Sequence, residues 1–317
     1  MAEAVAQAPP QPPAALVYQP TSLAAAPGLP RTPEGRPDFQ SVVWATNFFP
    51  VFEANPLAAS LVVSEADGKK MIEMMAAGFL KSPDPNLKID PEVEGLIFGG
   101  DGLPIVRGER RSRVVVLPAS GKLPMTPEAR KELASSGPLG SGPMDGPEQR
   151  PVGERCLTQT GQAPSVSIIA YNRLRIVQTA VHVVIHSENG DEVRIIPLAA
   201  EHRKVKDKWI GDSIARWDGD TLVVETVGFP KETRVRGFSN FIVGADSKVI
   251  ERFTRLSKDE LLYQYTVEDP AVYTGPWLAE YSFFAAKTGM FPSPCHEHNH
   301  SLPNILSGAR VKETAKP

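Results

Sequence analysis

The chain has 317 residues, 41% of them hydrophobic and 22% charged, with a net charge of -3. That balance is far from the low-hydrophobicity, high-charge profile of disordered chains, and no Lys- or Arg-rich run offers the footprint that a phosphate backbone needs, so nucleic acid is not an expected partner. No apolar stretch approaches the roughly 20 residues that cross a bilayer, so the chain reads as soluble with no membrane span.

Residues 1–40 carry Pro and Ala without periodicity and read as a disordered or extended arm that adds nothing to a core. The first residues, MAEAVAQAPPQPPAA, lack the basic start and apolar middle of a secretory signal, which favours the cytoplasm. AVAQA followed by two prolines nevertheless has the small-residue character of a cleavage region, which favours export to the periplasm or beyond; localisation stays open between the two. The rest, 41–317, reads as one β-rich domain with a loop-rich first part (41–150) and a strand-rich body (151–317).

Within the first part, Met71, Met74, Met75 and Phe79 are spaced for a helix over about 64–80, with the methionines expected in packing. A short strand is expected in RRSRVVVLP, and TPEARKELASS predicts a second helix with Thr126 as N-cap and Pro127 at the first helical position. The tract GPLGSGPMDGPEQRP after it sustains neither helix nor sheet.

From there the chain changes character. SVSIIAY, RLRIVQT, VHVVIHSE, DEVRIIPL, TLVVETVGF, KVIERFTRL and ELLYQYTVED are β-branched or aromatic runs of strand length. Asn189-Gly190 and Asp218-Gly219 are two-residue hairpin signals. Without helix-length segments between the runs, a parallel βαβ sheet is ruled out. The expected fold is mainly β: an antiparallel meander or barrel, lipocalin-like or related, with a Pro-rich first half carrying one or two helices.

Three clusters could carry chemistry. In VHVVIHSE, His182 and His186 share a face with Glu188, about 13 Å apart along a strand and too far for one metal ion. AEHRKVKDKWIGDSIARWDGDTLVVET gathers His202, Trp209, Asp212, Arg216 and Trp217, an apolar wall with convergent polar groups; Asp218 and Asp220 are set aside as hairpin chemistry. CHEHNH at 295–300 holds His296, Glu297 and His298, and a divalent metal on His296 and His298 is the one cofactor these residues suggest. Its plainer reading is an exposed polar tail. Cys156 and Cys295 are either bonded in an oxidising compartment or reduced in the cytoplasm.

PRTPEGRPDFQSVVW, GERCL, WIGDSIARWDGDTLVVETVGF, ERFTR, YTVEDPAVYTGPW and CHEHNHSLPNILSGAR together resemble a mostly uncharacterised, usually exported family of bacterial proteins, over nearly the whole chain. The resemblance implies one continuous fold and singles out Glu154, Arg155, Cys156, Trp209, Gly211, Asp212, Ser213, Arg216, Trp217, Glu251, Arg252, Asp269, Pro270, Trp277, Cys295, His296, Glu297 and Asn299. It implies no particular reaction.

The leading functional expectation is an enzyme acting on a small, partly apolar organic molecule by acid-base lyase, isomerase or hydrolase chemistry. His296, Glu297 and His202 would move protons, Asp212 and Arg216 would orient, and Trp209, Trp217, Tyr263, Tyr265 and Trp277 would supply walls. Its rivals are a lipocalin-like carrier using the same aromatic residues and an interaction protein whose Pro-rich arm docks a partner. Oligomeric state is not legible.

Overall fold

The computed structural model describes residues 27–46, 51–79, 102–136, 144–158, 161–166, 173–203, 209–231, 235–236, 241–297 and 299–314. Its strands are β1 (Val43–Ala45), β2 (Ile105–Val106), β3 (Glu109–Arg110), β4 (Val115–Leu117), β5 (Arg173–Gln178), β6 (His182–Ser187), β7 (Glu192–Pro197), β8 (Asp212–Asp218), β9 (Thr221–Val227), β10 (Val235–Arg236), β11 (Phe241–Ile242), β12 (Lys248–Arg255), β13 (Glu260–Glu268) and β14 (Trp277–Ala285). The helices are α1 (Glu65–Phe79), α2 (Pro127–Ser136) and α3 (Ser301–Thr314). None of the described helices is long and apolar enough to cross a membrane.

A ten-stranded antiparallel sheet dominates, in the order β7-β6-β5-β1-β14-β13-β12-β9-β8 with β4 added on β14. It curls until its two ends meet, joined by one parallel bridge between Leu198 and Ala215. The parallel sense follows from the count. Nine strands alternate in direction along the path, so its first and last members run the same way and cannot close with an antiparallel ladder. The barrel is therefore nearly closed, and the seam between β7 and β8 is its most weakly paired line.

Period-2 alternation fills the interior. Phe253 pairs with Tyr263 and Tyr263 with Tyr281, while Tyr265 faces Ala279 and Val267 faces Trp277. Tyr263 and Phe253 have ring centroids 4.8 Å apart, and Trp277 meets Tyr265 edge-on at 5.7 Å. Into the same interior runs the fully buried segment 161–166. Its Ser165 N–H donates to the Tyr263 hydroxyl at 2.8 Å and its carbonyl accepts from the Tyr281 hydroxyl at 2.5 Å. Arg194 from β7 reaches Glu251 on β12 through two bonds of 2.6 and 3.0 Å, with Ser165 Oγ and the Tyr263 hydroxyl completing the set. Burial works against charge on Arg194, but Glu251 outweighs it and holds the guanidinium above its usual range. Burial pushes the Tyr263 and Tyr281 hydroxyls well up, so both are donors at neutral pH.

The loop-rich first part covers the outer face of β13 and β14. Glu280 is buried there under Arg107 at 3.0 Å and Arg111 at 3.5 Å, and accepts from Gln264 at 2.7 Å. Both helices expected in this part are present; Ser64 Oγ caps α1 through the Asp67 N–H, and Thr126 Oγ1 caps α2 through the Ala129 N–H. Met71 packs in a small core with Val51, Ala58 and Leu103, with Met75 against it, whereas Met74 is exposed.

Six of the seven expected strands are found as β5, β6, β7, β9, β12 and β13, and RRSRVVVLP holds β4. Of SVSIIAY, Ser165 and Val166 belong to the buried interior segment and the remainder lies outside the described residues. Strands β1 and β14 and helix α3 go beyond the expectation. The arm differs too: Phe39 is fully buried, its N–H bonded to the Gln178 side chain at 2.6 Å and its ring against Trp217 at 5.7 Å, because this aromatic caps one end of the barrel. Arg31 is held to the β8–β9 turn by two bonds to Asp220, at 2.9 and 2.8 Å. Residues 1–26 lie outside the described set.

Cys156 and Cys295 form a disulfide across a sequence separation of 139 residues that encloses every strand from β5 to β14. Asn299 adds a bond to the Glu154 carbonyl at 2.8 Å. Closing so long a loop restricts the unfolded chain, so the C156S/C295S variant is expected to lose about 2–4 kcal/mol in urea unfolding. An unchanged midpoint would show that the clasp fixes only the chain end.

Candidate functional site at the barrel seam

The weakly paired seam opens a groove. Past β7 the chain crosses the outer face of β8 and β9, and between segment 198–200 and those strands lies a cavity of about 530 Å³. Leu198, Ile214 and Val223 give it apolar walls, Trp217 and Arg36 one end, and Arg216 and Glu225 its charges. A second hollow of about 170 Å³ shares Arg36, Leu198 and Trp217 and continues toward Thr32 and Gln178. The Arg36 guanidinium sits 5.5 Å over the Trp217 ring.

Register decides which side chains face the groove. In the β8–β9 hairpin, Ser213, Ala215 and Trp217 alternate with Asp212, Ile214 and Arg216; Ile214 pairs with Glu225 and Arg216 with Val223. Gly211 admits the chain to β8 at φ +72, and a Cβ there would come within 3.0 Å of the Val227 carbonyl oxygen, so only glycine enters the strand this way.

Behind Glu225 stands a short polar chain. His202 places Nε2 3.3 Å from Glu225 Oε1 and Nδ1 3.2 Å from Asp212 Oδ2. Asp212 is 1% exposed, and Arg203 holds its other oxygen at 3.3 Å. A ring nitrogen facing a carboxylate oxygen must carry the hydrogen, so the neutral imidazole makes one of these bonds and the imidazolium both. The arrangement can take a proton from a group in the groove through Glu225 and spread the resulting charge change over His202 and Asp212.

The structure thus gathers His202, Asp212, Arg216 and Trp217 of the expected set. Trp209 lies half-buried in the turn that leads into β8. Tyr263, Tyr265 and Trp277 are in the barrel interior, ring against ring. His296 and Glu297 are exposed near the far end of the β6–β7 hairpin, where Ser293 accepts from Gly190 N–H at 3.1 Å. No hydrogen bond or ion pair among the described residues joins either group to His202, whose partners are Asp212 and Glu225. His298 lies outside the described residues, and among those described no three His, Cys, Asp or Glu side chains converge as a metal site. His182 and His186 alternate with the buried Val183 and Ile185 and so lie on the face away from the core, His186 bonded to Asp191 at 2.7 Å.

Glu225 and Arg36 were not among the expected site residues. Glu225 is the polar outward position in TLVVETV, legible from alternation once the hairpin register is known; Arg36 sits in the arm and carries no local signal. No protein-family model matches the chain, and no curated protein matches it.

Proposed function

We propose that the protein is an enzyme acting on a small, partly apolar organic molecule bound in the seam groove, by lyase, isomerase or hydrolase chemistry. The observation that carries this reading is the Glu225–His202–Asp212 chain ending at a concave wall of Trp217, Leu198 and Ile214. Glu225 is the group that touches substrate and accepts or returns a proton; His202 and Asp212 position and buffer it. The disulfide supports an oxidising compartment, and with it export.

Turnover against a panel of small esters, lactones and unsaturated acids tests it. E225Q is expected to lose at least about 100-fold in kcat, as is typical for removal of a general base, and H202Q less, with little change in KM. Full turnover in both variants would overturn the assignment. Binding without turnover in the wild type would make the groove a carrier site.

A further inference from the structure

We infer that the groove selects a carboxylate: a small organic acid whose anion pairs with Arg216 and Arg36 while its apolar body lies along Leu198, Ile214 and Trp217. This deepens the reading of the seam groove as a small-molecule site and rests on it. Most of the chain's other described arginines are spent on internal partners. Arg31, Arg107, Arg110, Arg111, Arg130, Arg150, Arg173, Arg194, Arg203, Arg252 and Arg310 are each within salt-bridge distance of a carboxylate. Arg113 and Arg255 are spent on backbone carbonyls. Four described guanidiniums, those of Arg36, Arg155, Arg175 and Arg216, have no salt bridge or hydrogen bond to a described residue, and of these Arg36 and Arg216 line the groove.

Of the nearby carboxylates, Glu225 is turned to His202, and Asp220, which feels the charge of Arg36, has both oxygens bonded by Arg31. Both guanidiniums border one cavity, and a planar guanidinium suits a carboxylate better than a lysine ammonium does. The spacing also gives the ligand an orientation. Arg216 and Ile214 are two residues apart on β8, about 7 Å, and Glu225 lies opposite Ile214. An acid anchored at Arg216 therefore presents its body, not its charge, to Glu225, which keeps the two carboxylates apart and places C–H or ester chemistry at the proton acceptor.

The test is calorimetric titration of the full chain with 3-phenylpropionate, its amide and the corresponding alcohol, which share a body and differ in charge. The acid is expected to bind at least about tenfold more tightly than the other two, and to weaken as sodium chloride is raised. R216Q and R36Q, checked by circular dichroism for an intact fold, are each expected to cost the acid roughly fivefold to twentyfold and the amide nothing. Equal affinity for the three probes, abolished by W217A, would overturn the carboxylate inference and leave the groove standing. No binding of any probe at millimolar concentration would overturn both. Preference for the acid that survives R216Q and R36Q would place the anion elsewhere and sink the assignment to these arginines.

Discussion

Replacing Glu251 with leucine is expected to destabilise the protein by about 3–5 kcal/mol, because it strands Arg194 as a buried cation without its carboxylate partner. The side chains of Arg194 and Glu251 are 2% and 0% exposed. The pair itself need not contribute that much. Desolvating two ions costs several kcal/mol, so the R194M/E251L double variant, apolar on both sides, should recover most of the loss. Tyr263 would lose its acceptor but keep the Ser165 N–H as a donor to its hydroxyl oxygen. Urea unfolding of the wild type, both single variants and the double gives the coupling directly. A double variant as unstable as the sum of the singles would show that the two residues act through separate partners.

The second large effect separates two tryptophans that look alike in sequence. Trp277 is fully buried, with Phe241 at 5.4 Å and Tyr273 at 5.8 Å edge-on, so W277A opens a cavity in a packed core and is expected to cost about 3–5 kcal/mol. Trp217 is half-buried between Phe39 and Arg36 at the groove, so W217A should cost clearly less stability while removing probe binding. Comparable destabilisation of both variants, with binding retained in W217A, would contradict the division of labour between interior and seam.

The barrel body was legible because its strands alternate and its turns carry glycine. Asn189-Gly190 sits at the centre of the β6–β7 turn, but the last strand pair there is Ser187 with Glu192, so the loop spans 188–191 and not two residues. The other hairpin shows the limit of that signal. Its last pair is Asp218 with Thr221, so the two-residue loop is Gly219-Asp220, one position later than Asp218-Gly219. That one-residue difference decides which β9 side chain lies beside Ile214, and with it the role of Glu225. Strand β14, WLAEYSFFA, is covered on both faces: Trp277, Tyr281 and Phe283 point inward, while Glu280 and Ser282 are buried under the first part of the chain. Alternation alone does not mark such a strand. The aromatic residues expected as ligand walls share composition with a packed core, and only tertiary placement tells Trp217 from Tyr263, Tyr265 and Trp277. The cluster at 295–300 was the loudest chemical signal in the sequence, yet His296 and Glu297 are exposed and neither is bonded to His202, whose partners are Asp212 and Glu225.

The four tryptophans offer a direct test of where the protein binds. Trp217 lines the seam groove, Trp209 precedes β8, and Trp44 and Trp277 are fully buried in the interior. Protein labelled with 5-fluorotryptophan, assigned by single replacements and titrated with 3-phenylpropionate, should show the Trp217 fluorine resonance moving with saturation while those of Trp44 and Trp277 stay in place. Movement of Trp44 and Trp277 with Trp217 unaffected would put the ligand in the barrel interior and contradict the assignment of function to the seam.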